Sequence, residues 1–133
     1  ERCISRRVGQ IFIENAINDK EIKIGGDGED KLDFTYIKDL CNGVILSIEK
    51  KEALNEIFNL TYGGAKTINN LKDILLDNFP NAKITYEKRD KLMPKRGTLS
   101  INKAKKLLGY NPTFPIEEAY PAYIKWYKEF LNN

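Results

Sequence analysis

The order of apolar and polar positions divides this chain into short helical and strand-like segments. Ile4, Val8, Ile11, Phe12 and Ile17 recur at helical spacing with Ser5 available as a cap, which predicts an amphipathic helix from Ser5 to Asn18. Ile22 and Ile24 alternate with polar neighbours as in a short strand, "GGDGED" supplies a turn, and "LDFTYI" reads as a second short strand rich in β-formers. Asp39 then stands where it can cap, or sit in the first turn of, a helix running to about Lys51. Leu40, Val44, Ile45 and Ile48 form the apolar stripe of that helix.

Further along, "EIFNLTYGG" reads as a buried type of strand closed by a Gly pair. Thr67 opens "TINNLKDILLDNF", in which Ile68, Leu71, Ile74 and Leu75 make an apolar face. Pro80 and Asn81 break that helix, "KITYEK" alternates as a strand, and "RDKLMPKRGT" is polar and loop-like. A short helix from Asn102 to Leu108 ends on Gly109 as its C-cap, and "YNPTFP" is a loop. A last helix runs from near Ile116 to Leu131, kinked or restarted at Pro121. Helices alternating with short strands predict an α/β fold, here as one domain over residues 1–133.

With 41% hydrophobic and 11% aromatic residues the chain can bury a core, and 31% charged residues suit a soluble surface. Its net charge of +3 is spread unevenly. Lys88, Arg89, Lys91, Lys95, Arg96, Lys103, Lys105 and Lys106 crowd one stretch that holds Asp90 as its acid. Such a stretch suits the phosphates of a nucleotide or a nucleic acid, and it suits a solvated lysine-rich face equally well. Two isolated cysteines, Cys3 and Cys41, and the lack of any histidine exclude Ser-His-Asp and Cys-His nucleophile systems and argue against a zinc site, so no metal ligands are expected. No apolar run reaches the ~20 residues that span a bilayer and no signal peptide opens the chain, which points to a cytoplasmic protein with reduced thiols. The opening "ERCISRR" enters a helical pattern at once, without an initiator Met, and reads as an excerpt of a longer chain.

Gly25, Gly26 and Gly28 pose the question of a phosphate-binding loop. Such a loop requires G-x-G-x-x-G between a strand and a helix, so that helix N-terminal amides face the pyrophosphate. Here a strand follows, and Asp27-Gly28 is a turn dipeptide, so the corner turns the chain. The second pair, Gly63-Gly64, precedes a helix but is too short for the fingerprint and reads as a strand-to-helix turn. Asp33, Asp39, Glu117 and Glu118 lack partners that would mark acid and base roles and read as caps or solvated carboxylates. Tyr36, Tyr62 and Tyr86 sit beside strands as core or pocket wall. In "MPKRGTLS", Arg96 beside Lys95 and Gly97 is either an open, flexible cation able to take a diphosphate bidentately or an exposed loop arginine.

Taken in order, "KIGGDGEDKLDFTYIKDL", "FNLTYGGAKTINNL", "KRGTLSINKAKKLLGYNPTFPIEEA" and "YIKWYKEFL" resemble the C-terminal part of the NAD-dependent epimerase/dehydratase family, the extended short-chain dehydrogenases that act on nucleotide sugars. That resemblance implies an α/β substrate-binding portion with the Rossmann NAD domain largely absent. The family's Gly-rich NAD loop and Tyr-x-x-x-Lys pair are not found here; Tyr62 and Lys66 have the spacing but lie in the wrong block, so no catalytic residue is assigned. In the parent protein, NAD would take a hydride from the sugar to give a 4-keto intermediate and return it, as in a UDP-glucose 4-epimerase. This chain alone is then expected to be inactive and to bind no cofactor.

The resemblance also implies a substrate-binding set. Ile22, Lys23 and Ile24 match a strand whose backbone meets the base, Val8 lies near the start of a pocket-wall helix, and Arg96 matches a basic position that approaches the diphosphate. Leu32 stands where the family has an arginine, which shifts weight to Arg96 or Arg89, and Gly25 stands where a larger residue precedes the corner. Implied partners are a nucleotide-diphosphate sugar, with a UDP-sugar first, and the missing Rossmann half, with a homodimer left open and neither membrane nor nucleic acid. A 4,6-dehydratase or reductase, a non-enzymatic phosphate- or nucleic-acid-binding module, and a remnant with exposed apolar surface are the competing readings.

Overall fold

The computed structural model describes residues 7–92 and 94–131. Its elements run in the order α1 (Val8–Ile17), β1 (Ile22–Gly25), β2 (Lys31–Leu32), α2 (Ile37–Glu49), a 3-10 turn (Lys51–Ala53), β3 (Lys66–Thr67), α3 (Ile68–Asn78), β4 (Ile84–Glu87), α4 (Asn102–Leu108) and α5 (Ile116–Leu131). This is the α/β arrangement expected. By its contacts the chain forms two compact units, one from 1–30, 67–94 and 120–133 and the other from 31–66 and 95–119.

In the first unit β1 and β4 are parallel, with Ile22 opposite Ile84 and Gly25 opposite Glu87. Parallel neighbours need a crossover, and α3 is the helix that leads into β4. Burial alternates along β1: Ile22 and Ile24 point into the core while Lys23 and Gly25 face out. Phe12, Ile13 and Ala16 of α1, Leu71 and Leu75 of α3, and Tyr120 and Ile124 of α5 are buried as well. Thr67 closes α3 with a reciprocal capping box: its hydroxyl accepts from the Asn70 amide while the Asn70 side chain accepts from the Thr67 amide. The buried Tyr120 hydroxyl donates to the Gly9 carbonyl at 2.8 Å, and burial pushes its pKa well above the usual tyrosine range. Helix α1 begins at Val8 behind an extended Arg7; the cap expected at Ser5 lies outside the described residues. Helix α5 passes through Pro121 without a restart.

The second unit is built around Ile101, Ala104, Leu108 and Tyr110, against which Leu46, Ala53, Phe58 and Leu60 pack. Gly109 ends α4 in the left-handed conformation, as its C-cap role requires. Two expected strands do not form here. Of "LDFTYI" only Leu32 lies in a strand, at the end of β2, and "EIFNLTYGG" is irregular throughout, with Ile57 87% exposed. Side chains take the backbone donors that a ladder would use: Thr35 Oγ1 accepts from the Tyr62 amide at 3.1 Å, and the Asp33 carboxylate accepts from the Gly63 amide at 3.3 Å. Asp33 also receives the Thr98 hydroxyl at 2.5 Å.

Asp39 sits in the first turn of α2, one of the two places expected for it, and does not cap the helix: its carboxylate is buried and accepts from the Thr113 and Phe114 amides, in the loop before α5. The expected stripe of Leu40, Val44, Ile45 and Ile48, extended by Ile37, is not buried but exposed, from 38% at Leu40 to 79% at Ile48. An apolar stripe left to water drives association. The chain alone should therefore self-associate with concentration in sedimentation velocity, and Val44→Glu with Ile48→Glu should shift it toward monomer. A wild-type chain that stays monomeric into the high micromolar range would show that the stripe is tolerated.

Candidate functional site

The glycine corner that follows β1 is closed by its own chain. Gly26 and Gly28 both have positive φ, 82° and 79°, a region that glycine enters without strain. The Gly26 amide extends the β1–β4 ladder by donating to the Glu87 carbonyl at 2.7 Å, and Asp27 Oδ1 accepts from the Glu29 amide at 3.0 Å. Helix α3 then docks on the corner. The Ile68 amide donates to the Asp30 carbonyl and the Asn69 amide to the Gly28 carbonyl, while the Asn70 amide goes to Thr67 Oγ1. The N-terminal amides that a phosphate loop would offer are therefore already taken, so the corner is a turn and no pyrophosphate cradle. The second Gly pair is committed in the same way, with its Gly63 amide on Asp33.

What the corner does hold is Arg89. An added Cβ at Gly26 would lie 3.3 Å from Arg89 Cβ and 3.5 Å from its Cδ, so the arginine stem runs over the bare face of this glycine. Its Nε donates to Asp30 Oδ2 at 2.8 Å, and this bond raises the guanidinium pKa further. Nη1 has only a long 3.4 Å contact to the Asp90 carbonyl, and Nη2, shielded from water, has no acceptor. The guanidinium is thus anchored through Nε, with one Nη only weakly engaged and the other lacking an acceptor.

The parity of the β1 ladder decides which backbone groups remain free. The Ile22 and Gly26 amides face Lys83 and Glu87, so by the period of two the peptide groups of Ile22, Ile24 and Gly26 belong to the ladder. Those of Lys23 and Gly25 face the other edge, which has no strand partner among the described residues. The Lys23 ammonium itself is engaged, with Glu87 at 2.7 Å and Glu21 at 3.8 Å. Val8 is half-buried at the first turn of α1, a helix that packs on β1.

The profile of the NAD dependent epimerase/dehydratase family matches residues 3–61. A UDP-glucuronate 4-epimerase of Thermodesulfobacterium geofontis is 40% identical over 122 residues, which cover 89% of this chain and 36% of that enzyme. Over these residues the chain is similar to the NAD-dependent epimerase/dehydratase family. The fold agrees: an epimerase from Methanothermobacter thermautotrophicus superposes with a TM-score of 0.89 at 28% identity, over 96% of this chain and 38% of that one. A UDP-glucuronic acid 4-epimerase from Bacillus cereus, solved with UDP-glucuronic acid and NAD, gives 0.84 at 27% identity, over 93% and 40%. Other relatives are named UDP-glucuronic acid decarboxylase and dTDP-glucose 4,6-dehydratase. The chain thus spans between 28% and 40% of the length of these relatives.

The remaining candidates belong to the second unit. Arg96 is exposed in the second unit and makes no hydrogen bond or ion pair among the described residues. The lysine-rich stretch is partly neutralised: Lys103 pairs with Glu56 at 2.6 Å and lies over the Phe58 ring. Lys66 pairs with Glu117, so the chance Tyr62–Lys66 spacing carries no free lysine. No group of potential metal ligands occurs among the described residues, and no helix there is long and apolar enough to cross a membrane. Asp30 and Asn69, which shape the corner, escaped the reading of the sequence. Asp30 sits among other acids and meets its partner 59 positions away, and no local signal marks that pairing.

Proposed function

We propose that this chain is the nucleotide-sugar-binding portion of an NAD-dependent UDP-sugar epimerase and is catalytically inactive by itself. The observation that carries the reading is Arg89, anchored through Nε to Asp30 just after β4, with Nη1 on a long contact to the Asp90 carbonyl and Nη2 without an acceptor. Relatives solved with UDP-glucose and UDP-glucuronic acid support the substrate class. In this reading the Arg89 guanidinium meets diphosphate oxygens, the free backbone edge at Lys23 hydrogen-bonds the base, and Ile22 and Ile24 hold that edge in place from the core. Val8 lines the wall beside it, and Arg96, in the second unit, is a further candidate cation for a phosphate. That the Gly26, Gly63 and first α3 amides are bonded within the chain supports the reading that these corners do not cradle NAD. The cofactor would be held by other parts of the parent protein, a Rossmann half among them, and the parent would act in the cytoplasm.

Calorimetric titration with UDP and with uridine tests this. UDP should bind more tightly than uridine, Arg89→Ala should weaken UDP by about tenfold, and Arg96→Ala should weaken it less, because a loop cation is not pre-positioned. Equal binding of UDP and uridine, or none, would sink the reading. A 4,6-dehydratase or reductase is the second reading, favoured by the dTDP-glucose 4,6-dehydratase relative. Preference for dTDP over UDP would select it. Salt-dependent binding of an oligonucleotide with no response to UDP would instead assign the lysine-rich stretch to nucleic acid.

A further inference from the structure

Helix α2 turns one face inward and the other to water. Asp39 and Gly43 are buried, and an added Cβ at Gly43 would lie 2.9 Å from Leu60 Cδ2 and 3.0 Å from Tyr110 Cε2, so this face rests on its own unit. At about 3.6 residues per turn, Ile37, Leu40, Cys41, Val44, Ile45 and Ile48 fall within one arc of roughly 140° on the other side. All of them are exposed.

The flanks of this stripe carry a charge pattern. Lys38 and Glu49 are exposed, lie on the same flank beside Ile45, and stand near opposite ends of the helix, about 16 Å apart along its axis. Neither has an opposite charge three or four positions away, and neither enters an ion pair among the described residues. A two-fold axis crossing the stripe between Gly43 and Val44 runs a second α2 antiparallel to the first and keeps each flank on its own side. Lys38 then meets the partner's Glu49, and Glu49 meets the partner's Lys38. In a parallel pair the same flank would face the uncharged flank of Leu40 and Ser47.

We propose that this stripe is the docking face for a second copy of the chain, with the two α2 helices antiparallel and two Lys38–Glu49 pairs along one edge. Burying the stripe drives the association, and the flanking charges set its direction. The contact is confined to one helix of each copy, which fits a dimer of micromolar strength. None of this depends on the nucleotide reading.

Sedimentation velocity and disulfide trapping test the pairing together. The chain should pass from monomer to dimer with concentration, and Lys38→Glu or Glu49→Lys should raise the dimer Kd about fivefold or more, because each creates two like-charge contacts. The double swap, Lys38→Glu with Glu49→Lys, should return the Kd to the wild-type value. In a Cys3→Ser, Cys41→Ser background, Val44→Cys lies beside the two-fold axis and should give a disulfide dimer on oxidation with diamide. Ile48→Cys alone should not, since its two copies stand about 13 Å apart along the axis. Mixed with Ile37→Cys it should cross-link. A chain monomeric into the high micromolar range, a double swap no better than the single ones, or Ile48→Cys that cross-links with itself would overturn the antiparallel pairing. The first of these outcomes would assign the stripe to a different partner.

Discussion

Gly28→Ala should lower the stability of the first unit by about 2–4 kcal/mol. Two effects add. Gly28 has φ of 79°, where an L-residue costs roughly 1–2 kcal/mol. An ideal Cβ there would also lie 2.2 Å from Asn69 Oδ1, so the asparagine must leave. Its departure breaks a compact set of bonds: Nδ2 donates to the Asp27 carbonyl at 3.0 Å and to Glu29 Oε1 at 2.6 Å, and Oδ1 accepts from the Tyr86 hydroxyl at 2.9 Å. These bonds are exposed, so their combined share is about 1–2 kcal/mol. The chain's one tryptophan, Trp126, lies in the first unit, so urea unfolding followed by its fluorescence reads the right part of the molecule. Asn69→Ala separates the effects. In that background the clash is gone and Gly28→Ala should cost only the backbone strain. An unchanged midpoint for Gly28→Ala would mean that the corner does not hold this conformation in solution.

Asp39→Ala should destabilise the second unit by about 2–3 kcal/mol. The carboxylate is 4% exposed, with Oδ1 taking the Thr113 amide at 2.9 Å and Oδ2 the Phe114 amide at 3.0 Å. Removing it strands two backbone donors, each at about 1–3 kcal/mol when water cannot fully replace the partner. Thr113 is on the exposed side, which keeps the total toward the lower end. Asp39→Asn is the sharper probe, since it keeps the size but turns one acceptor into a donor facing a donor. It should recover little of the loss. Thermal unfolding followed by circular dichroism checks both variants, and full recovery by Asn would show that shape, not acceptance, is what Asp39 supplies.

Much of the helical framework could be read from local chemistry. Thr67 with its box partner Asn70 and Gly109 mark helix ends within a few residues of themselves, and the structure places α3 and α4 at those marks. Strands depend on distant partners, and here the pattern misleads. The β-formers around Phe34 and Phe58 are extended but tied by side chains, Thr35 to the Tyr62 amide across 27 positions and Asn59 to the Ser100 carbonyl across 41. Alternation records which way side chains point and does not say whether a neighbouring strand exists. The α2 stripe is a related case: periodicity locates an apolar face, yet nothing in the periodicity says what, if anything, covers it. At the candidate site, Arg89 could be listed as one cation of a crowd. Its distinction comes from Gly26 and Asp30, which lie across the sheet from it and become its neighbours only on folding.

The order in which the chain visits its two units carries a consequence for how they form. The first unit is assembled from three separate segments, and bonds that join its beginning to its end span nearly the whole sequence: Tyr120 to Gly9 across 111 positions and Tyr127 to Glu14 across 113. Closing such loops exacts entropy before the contacts reward it, which slows folding. Within this stretch α1 and β1 are synthesised before α5, and until α5 follows they lack the partner that completes their unit.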